Sequence, residues 1–120
     1  MQPLTRTRAR GRAAPRNVTT ETRDVGGAVL WRITGEVDAD DAASVEKALM
    51  GALQQVRPSQ QLWVELADVR FFGAAGLNVL LRLRRAAAEQ RTPLVLIAPA
   101  ALVRRVLQLT DTRPCFQTAG

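Results

Sequence analysis

The chain has 120 residues and a formal net charge of +6, from 17 Lys and Arg against 11 Asp and Glu; this is the length of one domain. It holds no His and one Cys, which excludes imidazole-dependent triads and a zinc or iron–sulfur cluster built from this chain alone. No apolar run approaches the roughly 18–20 residues of a membrane span, neither metal nor cofactor is expected, and the lone Cys115 suits a reducing, cytoplasmic setting.

The charge is unevenly placed. Residues 1–16 carry Arg6, Arg8, Arg10, Arg12 and Arg16 and no acid, and the other 104 residues hold twelve bases against eleven acids. The first segment has two prolines and little apolar surface, so residues 1–17 are expected to form a disordered basic arm, with a folded domain over 18–118. No apolar stretch follows the arginines, so no secretory signal is expected. The arm is open to three readings: a nucleic-acid or anionic-lipid contact, an inert tail, or an artefact of start-codon choice. No aromatic residues interleave with the arginines to stack on bases, which argues against the first.

The folded part opens on Asn17–Arg23, polar and partly β-branched, which reads as a weak edge strand. Gly26-Gly27 reads as a hairpin turn. Ala28–Thr34 alternates, with Val29, Trp31 and Ile33 on one face and Leu30, Arg32 and Thr34 on the other; Gly35 is expected to end it. Asp38, Asp40 and Asp41 signal a helix start. Val45, Ala48, Leu49, Ala52, Leu53 and Val56 then keep a helical period, which Arg57-Pro58 terminates. Gln61–Ala67 is a strand with Leu62, Val64 and Leu66 on one face.

A second helix starts near Gly73–Gly76, with Leu77, Leu80, Leu81 and Ala88 along one side and Val79, Leu83 and Ala87 widening it. Leu94–Ala98 is continuously apolar, which predicts a central strand covered on both faces. Pro99 suits the first turn of a third helix, whose apolar side is Leu102, Val103, Val106 and Leu107. Residues 112–118 suit a last short strand. Trp31 and Trp63 both fall inside strands and are expected in the core. Helices alternating with strands predict an α/β fold, with an antiparallel first strand on a mostly parallel mixed sheet and about three helices.

The tight link Asp68-Val-Arg-Phe-Phe-Gly-Ala-Ala-Gly-Leu77 carries the most information. Two Phe precede four tiny residues at a helix start. Such an end leaves backbone amides free and lets another backbone or a phosphate come close. Equally, one Phe can fill the core below the loop while Gly73 and Gly76 relieve strain. Neither GxGxxG nor GxxxxGK[ST] occurs.

Three segments together resemble the STAS domain of bacterial anti-sigma factor antagonists. Ile33-Thr-Gly-Glu-Val-Asp38 is similar to the family's G-E-hydrophobic-D. Leu62-Trp-Val-Glu-Leu-Ala-Asp-Val-Arg-Phe-Phe-Gly-Ala-Ala-Gly-Leu77 is similar to its D-L-x-x-V-x-F-hydrophobic-D-S-S-G-L segment. Leu94–Leu109 is similar to its fourth strand and following helix. The resemblance covers about residues 18–118 and implies a STAS-like mixed sheet and a protein-binding regulator, not an enzyme. The implied partner is an anti-sigma factor, a Ser/Thr kinase of the histidine-kinase-like ATPase type, whose capture frees a sigma factor.

The resemblance places the partner contact on Glu36, Asp38, Ala39 and Asp40 after the second strand, and on Phe72, Gly73, Ala74, Ala75, Gly76 and Asn78 at the second helix. The departure lies in the same loop. Gly73 stands for the family's Asp, Ala74 for its phosphorylated Ser and Ala75 for the next Ser. Alanine has no hydroxyl, and no Ser or Thr lies between Gln60 and Arg91. Glu65 stands where the family often has Asp or Asn. Binding is therefore expected to escape phosphorylation control at this loop. Asp38 also suits a helix cap, and Asp40 and Asp41 suit solvated first-turn acids. The arginines of the second and third helices read as solvated faces.

Two other functions stay open on the sequence. One is a STAS subunit that stabilises the ATPase of a phospholipid-transport ABC system; the other is nucleic-acid binding through the arm.

Overall fold

The computed structural model describes residues 18–120; the basic arm, residues 1–17, lies outside the described part. The elements run β1 (Val18–Asp24), β2 (Ala28–Glu36), α1 (Ala39–Gln55), β3 (Gln61–Phe71), α2 (Gly73–Glu89), β4 (Leu94–Ile97), α3 (Ala101–Leu109), a 3-10 turn at Arg113–Cys115, and β5 (Gln117–Ala119). The strands lie in the order β1-β2-β3-β4-β5; β1 is antiparallel to β2, and the other neighbours are parallel.

A sheet laid down in strict chain order through right-handed crossovers puts every connecting helix on the same face. That face holds the core. Val29, Trp31 and Ile33 of β2, Leu62, Val64 and Leu66 of β3, and Leu96 of β4 meet Val45, Leu49 and Leu53 of α1, Leu80 and Leu83 of α2, and Val103 and Leu107 of α3. The alternation read in β2 is therefore real, and the face it buries is the one with the Trp.

The other face of the sheet carries no helix among the described residues. This corrects one expectation, for Trp63, and leaves the other, for β4, in place. The apolar run at β4 is buried on both faces, as expected: Leu96 faces the helices, and Val95, on the other face in the row with Trp63, is only 5% exposed. Trp63 is half-buried there and not in the core, its indole N–H donating to Gln61 Oε1 at 2.8 Å. Leu30, Trp63, Val95 and Gln117 form one cross-strand row, and Glu21, Arg32 and Glu65 form the next. Arg32 lies 3.9 Å from Glu21 and 3.4 Å from Glu65. Charge alternating along a row suits a wet face.

Local chemistry closes the ends of the elements. Gly26, at φ +94°, gives the β1–β2 turn a conformation that L side chains resist. Asp24 binds the Gly26 N–H at 2.9 Å and Arg57 Nη1 at 3.0 Å. Gln60, 5% exposed, donates to the Gly26 carbonyl at 2.8 Å and to the Asp24 carboxylate, while its Oε1 accepts from the Arg57 N–H. A buried amide with both ends satisfied ties the hairpin to the α1–β3 loop. Glu46 on α1 receives two Nε contacts and one Nη2 contact from Arg82 on α2, the shortest 2.7 Å.

Several boundaries move. β2 continues through Gly35 to Glu36, and β3 continues past Ala67 to Phe71 through two register shifts against β2. Ala88 is exposed, so the buried side of α2 is Gly76, Leu77, Val79, Leu80, Leu83 and Ala87. Pro99 stands before α3, whose cap is Ala100, and the Ala100 N–H bonds to the Leu66 carbonyl at 3.2 Å. The last segment is a 3-10 turn followed by a strand of three residues.

Candidate functional site

In a parallel sheet the loops after the strands collect along one edge. Here β2 and β3 are neighbours, with Gly35 beside Val69 and Glu36 beside Phe71. Their exits therefore lie about one strand spacing apart, roughly 4.8 Å. The structure thus brings together the two stretches that the sequence could only name separately, 36–40 and 72–78.

On the β2–α1 side, Asp38 is the N-cap of α1. Its Oδ1 accepts from the Asp40 N–H at 3.0 Å and the Asp41 N–H at 3.2 Å. It is half-buried, and its carboxylate is occupied by the cap. Glu36, Ala39 and Asp40 are exposed around it. Val37 between them is buried and anchors the loop in the core.

On the β3–α2 side the helix starts without a side-chain cap. Gly73 sits at φ +62°, in the left-handed region, so the chain turns from strand to helix on a residue without Cβ. Ala74 and Asn78 are exposed, and Gly73 and Ala75 are half-buried. Two expected contact residues are withdrawn by their burial. Phe72 is 3% exposed and belongs to the core; Gly76 is buried as well. The two explain each other, because a Cβ on Gly76 would lie 2.8 Å from Phe72 Cδ1. Gly76 is small so that the Phe72 ring can lie beneath the loop. The side chain available to a partner is therefore a short apolar step, Ala74–Ala75, bordered by Asn78 and the acids of the neighbouring loop.

Asp68 and Arg70 were missed by sequence reading. Both are exposed on the irregular end of β3 beside the site. Nothing in the one-dimensional pattern marks them, since the bulged register that carries the strand this far comes from its pairing with β2. Glu65 lies on the open face of the sheet, in the ion-pair row with Arg32, and not at this edge. Arg82 and Arg85 are paired with Glu46 and Glu89, as solvated arginines would be. Among the described residues no group of His, Cys, Asp or Glu could hold a metal ion, and no helix is long and apolar enough to cross a membrane. Chemically, the edge offers shape, charge and free backbone amides, and no nucleophile–base pair.

This geometry can be set beside known proteins. The family model described as "Mlab, STAS domain" matches residues 20–113. The anti-sigma-F factor antagonist RsfB of Mycobacterium tuberculosis is 29% identical over 105 residues, covering 88% of this chain and 84% of that protein. The crystal structure of an anti-sigma factor antagonist from Mycobacterium paratuberculosis superposes with a TM-score of 0.76 at 25% identity, over 88% of each chain. A STAS-domain protein from Planctomyces limnophilus shares the fold, with a TM-score of 0.74 at 16% identity over 84% of this chain and 89% of that one. The match runs through both loops of the edge and all three helices, and the chain belongs to the STAS-domain family.

Proposed function

We propose that this chain is an anti-sigma factor antagonist: it captures an anti-sigma factor on the edge formed by Glu36–Asp40 and Gly73–Asn78, and so frees a sigma factor. The observation that carries the reading is the likeness to RsfB, a protein named for this activity, over nearly the whole domain. The edge is chemically suited to it. A flat step of small residues next to a capped acidic loop offers a rigid surface that loses little entropy on binding.

The partner in this reading is a Ser/Thr kinase of the histidine-kinase-like ATPase type, and the encounter takes place in the cytoplasm. Ala74 holds the position of the acceptor Ser and lacks its hydroxyl, so the partner binds without being able to switch the complex off there.

Affinity capture with the full chain, followed by mass spectrometry of the eluate, tests the reading. Recovery of an anti-sigma factor that is lost with Ala74→Arg supports it. An eluate without one, or capture indifferent to Ala74→Arg, rejects it. The double variant Gly73→Asp, Ala74→Ser probes the kinase separately. Asp tolerates the left-handed region better than most residues, so the loop can form, and a bound kinase is expected to place phosphate on residue 74.

A further inference from the structure

The two edges of the sheet are unequal. β5 offers three residues, whereas β1 offers seven, with no proline or lysine among them. Shortness and those residues are common ways of blunting an edge. Among the described residues nothing pairs with the outer side of β1. The Val25 N–H donates to the Ala28 carbonyl at 2.9 Å, so these two form a hydrogen-bonded pair. Such pairs alternate with non-hydrogen-bonded ones along an antiparallel ladder. Thr19, Glu21 and Arg23 therefore bond to β2, and Val18, Thr20, Thr22 and Asp24 turn their backbone groups outward. Thr20 and Thr22 stand opposite Ile33 and Trp31, so their side chains lie on the helix face. Glu21 and Arg23, 3.9 Å apart, lie on the open face.

α1 does not close over this edge. A cleft of about 160 Å³ remains, whose walls include Val18 and Thr20 on the strand and Ser44, Val45 and Ala48 on the helix. Glu46 turns one flank of α1 to Arg82 of α2. Ser44, Ala48 and Gly51, spaced i, i+4, i+7, form the opposite flank, toward β1. Gly51 is exposed in mid-helix, and a Cβ on it would meet nothing within 4 Å. Glycine weakens a helix relative to alanine, so a single copy gives no packing reason for it.

We infer that β1 pairs antiparallel with β1 of a second copy across a two-fold axis, joining two five-stranded sheets into one. The axis stands perpendicular to the sheet, so one residue must meet itself there, and charge selects which. With Glu21 or Arg23 on the axis, like charges lie directly opposite, which is destabilising. With Thr20 on the axis, neither charge meets its opposite. With Thr22 on the axis, Thr22 meets Thr22, and Glu21 of each copy meets Arg23 of the other. The outward groups of Thr20, Thr22 and Asp24 then all fall in hydrogen-bonded pairs. Gly51 fits the same axis. Thr22 is level with Trp31, about 16 Å back from the end of β2. α1 returns beside β2 at about 1.5 Å per residue and reaches that level near residues 49–51. Gly51 is thus the member of the small flank nearest the axis, where two helices face each other. The two-fold sends the proposed docking edges to opposite ends of the joined sheet, so both stay free.

Sedimentation velocity of the full chain over a wide concentration range tests the pairing. The expected result is a monomer–dimer equilibrium. Arg23→Glu and Glu21→Arg are each expected to weaken self-association about tenfold or more, since like charges then meet twice. An equimolar mixture of these two variants is expected to restore the dimer, because opposite charges meet again. Thr22→Pro removes an outward N–H, which an edge strand tolerates, and Gly51→Arg fills the gap between the helices. Both are expected to give monomers with native circular dichroism; if Thr22→Pro fails to fold, Gly51→Arg and the charge variants decide. A chain that stays monomeric at every concentration overturns the proposal. So does a dimer that survives Gly51→Arg and both charge reversals, or a mixture of charge variants that fails to associate. A dimer lost on deleting residues 1–17 overturns it as well, because the arm then makes the contact.

Discussion

At the scale of single residues, the proposed docking edge depends on two glycines with different reasons to be glycine. Gly73 is needed for its backbone, at φ +62°. Gly73→Ala is expected to cost about 1 kcal/mol, the penalty of a Cβ in the left-handed region net of the stiffened unfolded chain. Gly76 is needed for its space. An Ala there would regain about 0.5–1 kcal/mol of helix propensity. The clash with a buried Phe72 ring is larger, typically 1–3 kcal/mol for overpacking. Gly76→Ala is therefore expected to be the net loser, by about 1–2 kcal/mol, and urea unfolding of the two variants checks both magnitudes. Of the ten residues that the resemblance named, eight stay at the surface or half-buried, and Phe72 and Gly76 do not. Sequence placed the loop because motif spacing survives in one dimension. It could not tell contact from support, because burial depends on which side of the loop the helix closes over.

At the scale of elements, caps and ties set where each one starts. Asp38→Ala removes the cap of α1 and is expected to cost about 1 kcal/mol, seen as a lower urea midpoint. The carboxyl of Asp24 is held below its ordinary value of 3.8 by the Gly26 N–H first, then by Gln60 and Arg57. That of Glu46 is held below 4.5 by its hydrogen bonds from Arg82. A carboxyl lowered in the folded state contributes stability that is present above the unfolded value and is lost as pH falls through the folded one. Both groups are near solvent, so the effect is small. Acid titration is expected to show stability declining below about pH 4.5, with a shallower decline in Asp24→Asn. The element types and their order were legible from hydrophobic period and from the Asp, Gly and Pro breakers. The ends of β2 and β3 were not, because Gly35 and Asp68 look like strand ends locally, and it is pairing with each other's strand that extends them.

At the scale of the whole molecule, charge is organised by the fold. Of the seven arginines in residues 77–120, five lie on α2 and α3, while the β2–α1 loop and the first turn of α1 carry Glu36, Asp38, Asp40 and Asp41. Capture at the acidic edge is expected to slow as ionic strength rises, since screening weakens the steering of a basic partner face; stopped-flow association between about 50 and 300 mM salt measures it. Deleting residues 1–17 lowers the net charge from +6 to +1. The sheet begins at Val18, so the truncated chain is expected to keep its unfolding midpoint, as a thermal melt checks.

The sequence by itself determined the class of fold, the order of the elements, most of the buried face of each helix and the missing hydroxyl at residue 74. These are local or periodic properties, carried by spacing along one chain. Only the tertiary structure decided that Trp63 faces the open side of the sheet, that Phe72 lies beneath Gly76, and that Arg82 of α2 pairs with Glu46 of α1. Each of these depends on which residues distant in sequence become neighbours. Crossover hand and strand register set that, and neither is written in the period of a single element.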